Sequence, residues 1–386
     1  MKKPILFVTL AATLSLAVAQ QSTTVSSRLI YSDAKNHTLN VLNLSDGSNM
    51  ASFGTPGKIT YVISSESKQT VLAAHRDDNR VTVLSSGLSL QDHGDHKDLV
   101  EKAPHVLATF NLGKQPTHYF THGKTIAFFN DGDGTVAILD EDKLGLSLDF
   151  EQIKTAGPDH AGVVVLENRV LVGYLRLGRV DVFERGSGKL LQTLPGCPAL
   201  HGETMHASGT YWGCGDGVLL TKRDGNTFSA VKFTNPAATP EKTRVGTLVS
   251  TDQLGFAVGN FGKGLAFATP GKTVLETMAL PDSPVKMAFA DSGALVVLTA
   301  DGGLHTLDAS KRAVTASLNV TPAVTASGEG SVRPSFALLR DRAYVTSPTT
   351  GEIVEVNLSS LKLERRFKVG GTPVSVAVSS AEGVRH

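Results

Sequence analysis

Eight prolines punctuate this chain at near-regular intervals: Pro56, Pro116, Pro158, Pro198, Pro240, Pro284, Pro334 and Pro373. Successive spacings are 60, 42, 40, 42, 44, 50 and 39 residues. That is the period of a β-propeller, in which each four-stranded blade takes roughly 40 to 50 residues. The C-terminal repeat shows the strand content: short β-rich runs begin at Pro334, Arg342, Gly351 and Lys362, separated by turn residues. Counterparts of its third strand recur near His37, Arg80, Thr135, Arg179, Gly217, Gly264 and Gly303, so this count also reaches eight. The expected fold is all-β, a single eight-bladed propeller over 20–386, with seven blades as the alternative. The run at Arg28 has no proline-led strand before it and the run at Pro373 has nothing after it. The two ends are therefore expected to complete one blade together, which removes an open sheet edge.

The first residues have the layout of a secretory signal: two lysines, an apolar run from Ile5 to Val18, and small residues up to Ala19. Cleavage after Ala19 is expected, giving a signal peptide over 1–19 and an exported, periplasmic protein. The residue directly after that point is Gln20, not a cysteine, which argues against a lipid anchor, and no later apolar stretch approaches the ~20 residues of a membrane span. A net charge of +1, with no long Lys/Arg run, gives nucleic-acid binding little support. A monomer is expected.

Placing the repeats in one frame brings three histidines into register. His118 and His160 each stand two residues after a repeat proline and His201 stands three after, whereas other repeats carry Lys58, Lys242, Lys286, Phe336 and Ser375 at proline plus two. Inner propeller strands surround a central channel, so three such imidazoles on neighbouring blades converge on one mouth of it. Imidazole is a common zinc ligand, and three or four donors at about 2 Å make a site. Asp159 is a candidate fourth ligand or hydrogen-bond partner for a ligating ring, with water as the alternative, and Glu203 is a candidate orienting partner. Copper, nickel and cobalt also accept imidazole.

The 60-residue interval exceeds the next by 18 residues, and the excess falls on a polar insertion at about 91–105. It carries Asp92, His93, Asp95, His96 and His105, and reads as a mobile arm between a third and a fourth strand, suited to capturing or handing over metal. A solvated acidic loop is the plainer reading. The two cysteines, Cys197 and Cys214, are read first as a disulfide because the chain is exported, with zinc-binding or free thiols as the other possibilities. The Asp131 and Cys214 glycine-containing segments read as hairpin turns, not calcium loops. No Gly-x-Ser-x-Gly elbow or phosphate-binding loop is present.

Together, the Pro-Thr-His118 step, the Asp159-His160-Ala-Gly-Val segment, Cys197-Pro-Ala-Leu-His201-Gly-Glu203 and Gly213-Cys214-Gly-Asp-Gly resemble the AztD family of periplasmic zinc metallochaperones. The motif-bearing part runs from about residue 92 to 217. One departure is visible: family members often have His-His-Gly where this chain has Asp159-His160-Ala. The resemblance implies a non-enzymatic protein that holds Zn(II) and passes it to the solute-binding protein of a zinc ABC importer. The competing expectations are a metal-dependent, lactonase-like propeller hydrolase and a propeller scaffold for protein binding.

Overall fold

The computed structural model describes residues 22–324 and 332–385; the signal peptide expected at 1–19 lies outside them. Eight sheets form the molecule. Seven are four-stranded and antiparallel, and the eighth has six strands. Blade 2 begins with the inner strand Tyr61–Ser64, blade 3 with Pro116–His122, blade 4 with Ala161–Leu166 and blade 5 with Glu203–His206. Blades 6, 7 and 8 begin with Leu248–Ser250, Pro284–Phe289 and Phe336–Leu339. The repeat prolines stand at the first residue of an inner strand or in the loop leading to it, where a missing N–H leaves no ladder bond unmade.

Blade 1 is shared by the two ends of the chain. Its inner strand is Pro373–Val384, which pairs antiparallel with Thr23–Asp33 over Leu29↔Val378 and Ile30↔Ala377. Thr38–Asn43 and Asn49–Gly54 complete the blade. The middle strands are the buried ones: every residue of Arg169–Tyr174 is buried, whereas no residue of the outermost strand Ala313–Asn319 is. Apolar clusters fill the interface between every adjacent pair of blades, including blades 8 and 1, so the ring is closed by packing as well as by hydrogen bonds.

Strand direction defines two faces. Inner strands start at what we call the upper face and end at the lower one; third strands also run downward. The insertion leaves the third strand of blade 2, Arg80–Ser85, at its lower end, before the fourth strand His105–Phe110. It forms a hairpin of two strands, Leu88–Asp92 and Lys97–Glu101, that joins the end of the blade 1 inner strand through Val384↔Asp98. Leu88 and Leu99 bury themselves against Ala381. The approach is close enough that a Cβ at Gly383 would lie 2.6 Å from the Lys97 carbonyl oxygen. The Arg28 guanidinium donates to the Ser86 and Lys102 carbonyls, tying down both stems.

Candidate metal centre

The proline frame brings its three histidines together at the upper mouth of the channel. His118 is the third residue of its inner strand, His160 directly precedes Ala161, and His201 lies two residues before Glu203. The His201 loop is closed at its base by the Cys197–Cys214 disulfide. Within that loop the His201 N–H donates to the Gly213 carbonyl (2.9 Å) and the Gly213 N–H to the Gly202 carbonyl (3.0 Å), which fixes the backbone carrying the ring.

All three rings turn Nε2 inward. The His118 and His160 Nε2 atoms are 3.0 Å apart, and those of His160 and His201 3.2 Å. Tetrahedral geometry with Zn–N bonds of about 2.0–2.1 Å puts neighbouring donor atoms about 3.3 Å apart. Among the described residues this is the one group of His, Cys, Asp or Glu side chains close enough to share an ion, with donor atoms within 4.8 Å of one another.

The outward nitrogens explain the orientation. His201 Nδ1 lies 2.5 Å from the Gly246 carbonyl oxygen, which can only accept, so Nδ1 carries the proton. His160 Nδ1 lies 2.7 Å from Asp131 Oδ2 and is held the same way. In the neutral rings, therefore, both Nε2 atoms present lone pairs to each other across 3.2 Å. A cation between them turns that repulsion into coordination. Burial, reinforced by the neighbouring His160 and His201, pushes the His118 imidazole down to about 3. Burial also lowers His201. Both therefore remain neutral, as ligation requires, below the ordinary histidine range.

Glu203 lies behind His118, with Oε2 4.0 Å from its Nδ1. Its Oε1 accepts from the Val163 N–H (3.3 Å), while Oε2 is buried without a hydrogen-bond partner, and burial raises the carboxyl to about 8. Gly162 leaves room for this carboxyl: a Cβ there would lie 2.1 Å from Glu203 Oε2 and would push the side chain aside.

Asp159 stands outside the cluster. Its carboxylate accepts from the His160 backbone N–H (2.7 Å) and from the Arg176 backbone and guanidinium, so it shapes the loop and does not face the imidazoles. The carboxylate that meets one of the three rings is Asp131, which the sequence marks only as part of a hairpin turn. Each histidine also has an arginine nearby. Arg76 donates to Thr117 Oγ1 beside His118, Arg176 to the Pro158 carbonyl, and Arg244 to the Ala199 carbonyl.

The insertion's side chains gather elsewhere, on the lower face. Asp98 lies between His93 Nε2 and His96 Nε2, 3.0 Å from each, and Asp95 is 2.7 Å from His96 Nδ1. Asp92 accepts from the Gly94 N–H within the turn, and exposed His105 starts the next strand, its Nδ1 3.2 Å from the Ala103 carbonyl oxygen. The insertion is adjacent in sequence to the His118 strand but on the opposite face of the ring.

Comparison with known proteins adds to this geometry. The zinc chaperone AztD of Citrobacter koseri is 26% identical over an alignment covering 93% of this chain and 88% of that protein. This chain resembles AztD along nearly its whole length. The crystal structure of C. koseri AztD superposes with a TM-score of 0.83 at 24% identity, covering 93% of this chain and 99% of that one. Apo AztD gives 0.82, covering 94% and 100%. A more distant likeness is dihydro-heme d1 dehydrogenase NirN, at 13% identity, TM-score 0.62, and coverage of 90% and 74%. No family model matches the chain. The AztD likeness thus extends well beyond the motif-bearing stretch. No helix among the described residues is long and apolar enough to cross a membrane.

Proposed function

We propose that this protein is an exported zinc metallochaperone, a monomeric carrier that holds Zn(II) at His118, His160 and His201 and releases it to the solute-binding protein of a zinc ABC importer. The observation that carries the reading is the lone-pair confrontation at the upper mouth: two Nε2 atoms 3.2 Å apart, each with its Nδ1 turned to an oxygen acceptor. Likeness to a protein named as a zinc chaperone supports zinc as the cargo. Three neutral imidazoles leave a fourth position for water or for a ligand from the receiving protein, and an open position suits a carrier that must let go. The insertion's His93, His96, His105, Asp92 and Asp95 offer separate donors on the lower face for transient capture, not a second closed site.

The test is zinc affinity by chelator competition. His118→Ala, His160→Ala and His201→Ala are each expected to weaken binding by orders of magnitude. His305→Ala is expected to leave it intact, because His305 is a buried structural residue of blade 7 bonded to Thr299 and Ser317. Equal effects from all four would refute the assignment.

A further inference from the structure

A cavity of about 1100 Å³ opens on the lower face among blades 2 to 6 and reaches up as far as Tyr119 and Glu203, below the triad. Glu203 belongs to both compartments. It lines the cavity, lies 4.0 Å from His118, and its side chain is nine-tenths buried with Oε2 lacking a hydrogen-bond partner. An unpartnered carboxyl oxygen beneath an imidazole cluster offers a cation an oxygen ligand on the way to the triad, the carboxyl proton leaving as the cation arrives.

The two mouths differ in charge. At the lower rim Glu66 stands 3.6 Å from His122, and Asp252 stands 3.9 Å from His206; all four line the cavity. Of the wall's two cations, Arg223 is held by Glu167 at 2.8 Å, which leaves Lys222. The upper mouth is rimmed instead by Arg76, Arg176 and Arg244; Arg76 and Arg176 lie over the buried carboxylates of Asp131 (3.5 Å) and Asp159 (3.2 Å), while among the described residues Arg244 has no carboxylate partner. A bare divalent cation approaching from above meets guanidinium groups first; from below it meets carboxylates and imidazoles. The His93, His96 and Asp98 set is on that same lower face.

We propose that the divalent cation reaches the triad from the lower face, through this cavity past Glu203, and that the arginine-rimmed upper mouth is not its loading route. This rests on the triad being the zinc site. It gives the ring a direction, with loading below and release above.

The experiment is rapid mixing of zinc ion with the metal-free mature protein at low and high salt, alongside equilibrium affinity. Glu66→Gln/Asp252→Asn keeps the acceptor atoms that bond Gly123 and Ala207 while removing the charges. It is expected to slow association about three- to tenfold at low ionic strength, with affinity within about twofold of wild type and the rate difference shrinking at high salt. Glu66→Lys/Asp252→Lys is expected to slow loading further. Unchanged loading in these variants overturns the route, and faster loading in Arg244→Gln in their place assigns it to the upper mouth. Zinc binding that survives in His118→Ala, His160→Ala and His201→Ala would sink the triad assignment itself, an outcome separate from any rate.

Discussion

Asp131 shows how much one side chain behind an imidazole can decide. By accepting from His160 Nδ1 at 2.7 Å it fixes the tautomer and aims Nε2 at the centre of the triad. Asp131→Asn is expected to lower zinc affinity about 10- to 100-fold, measured by chelator competition, without unfolding the protein; unchanged affinity would mean the ring is aimed by packing alone. Glu203 yields a pH prediction for the metal-free protein. The unfolded carboxyl releases its proton near 4.5 and the folded one near 8, so between these values the native state holds the extra proton and stability falls as pH rises. Urea midpoints at pH 5.5 and 8.5 are expected to drop more for wild type than for Glu203→Gln; equal drops would show the native carboxyl already ionised at the lower pH. The three histidines were legible because repeat position fixes where an inner strand begins. Asp131 was not, since an Asp-Gly-Asp-Gly run has the chemistry of a tight turn whatever else it does. Asp159 misled for the complementary reason: adjacency to His160 in sequence says nothing about which way a loop side chain points, and Arg176 draws it aside.

At the scale of single elements, the disulfide and the insertion make the same point about context. The Cys197–Cys214 bridge was legible from an even cysteine count in a chain whose first residues read as a secretory signal, and it lies under the loop that presents His201. Closing a 17-residue separation is worth about 3 kcal/mol in the chain-entropy model. Cys197→Ser/Cys214→Ser is therefore expected to lower unfolding stability by about that amount and also to weaken zinc binding, because the His201 backbone loses its brace. Lost stability with undiminished affinity would confine the bridge to a packing role. The insertion was legible as an excess of residues between a third and a fourth strand. Its face was not, because neighbouring the His118 strand in sequence suggested proximity in space. Counting strand direction decides otherwise: a third strand ends below and the next inner strand begins above.

For the molecule as a whole, repeat arithmetic carried the eightfold ring and its closure, since a period of 40 to 50 residues with half-blades at both ends admits little else. Truncation before Pro373 removes the inner strand of blade 1 and bares Thr23–Asp33 along its length. A sharply lower thermal midpoint and aggregation on sizing columns are expected; a stable monomer would show that seven blades hold themselves. The pairing of Leu29 with Val378 also has a bearing on how the ring closes. The inner strand of blade 1, Pro373–Val384, pairs with a strand more than 300 residues away in sequence, so blade 1 depends on a contact of very long range. Blade 1 therefore stays unfinished until that pair forms, and the ring, with the histidine-bearing mouth it frames, can lock only then.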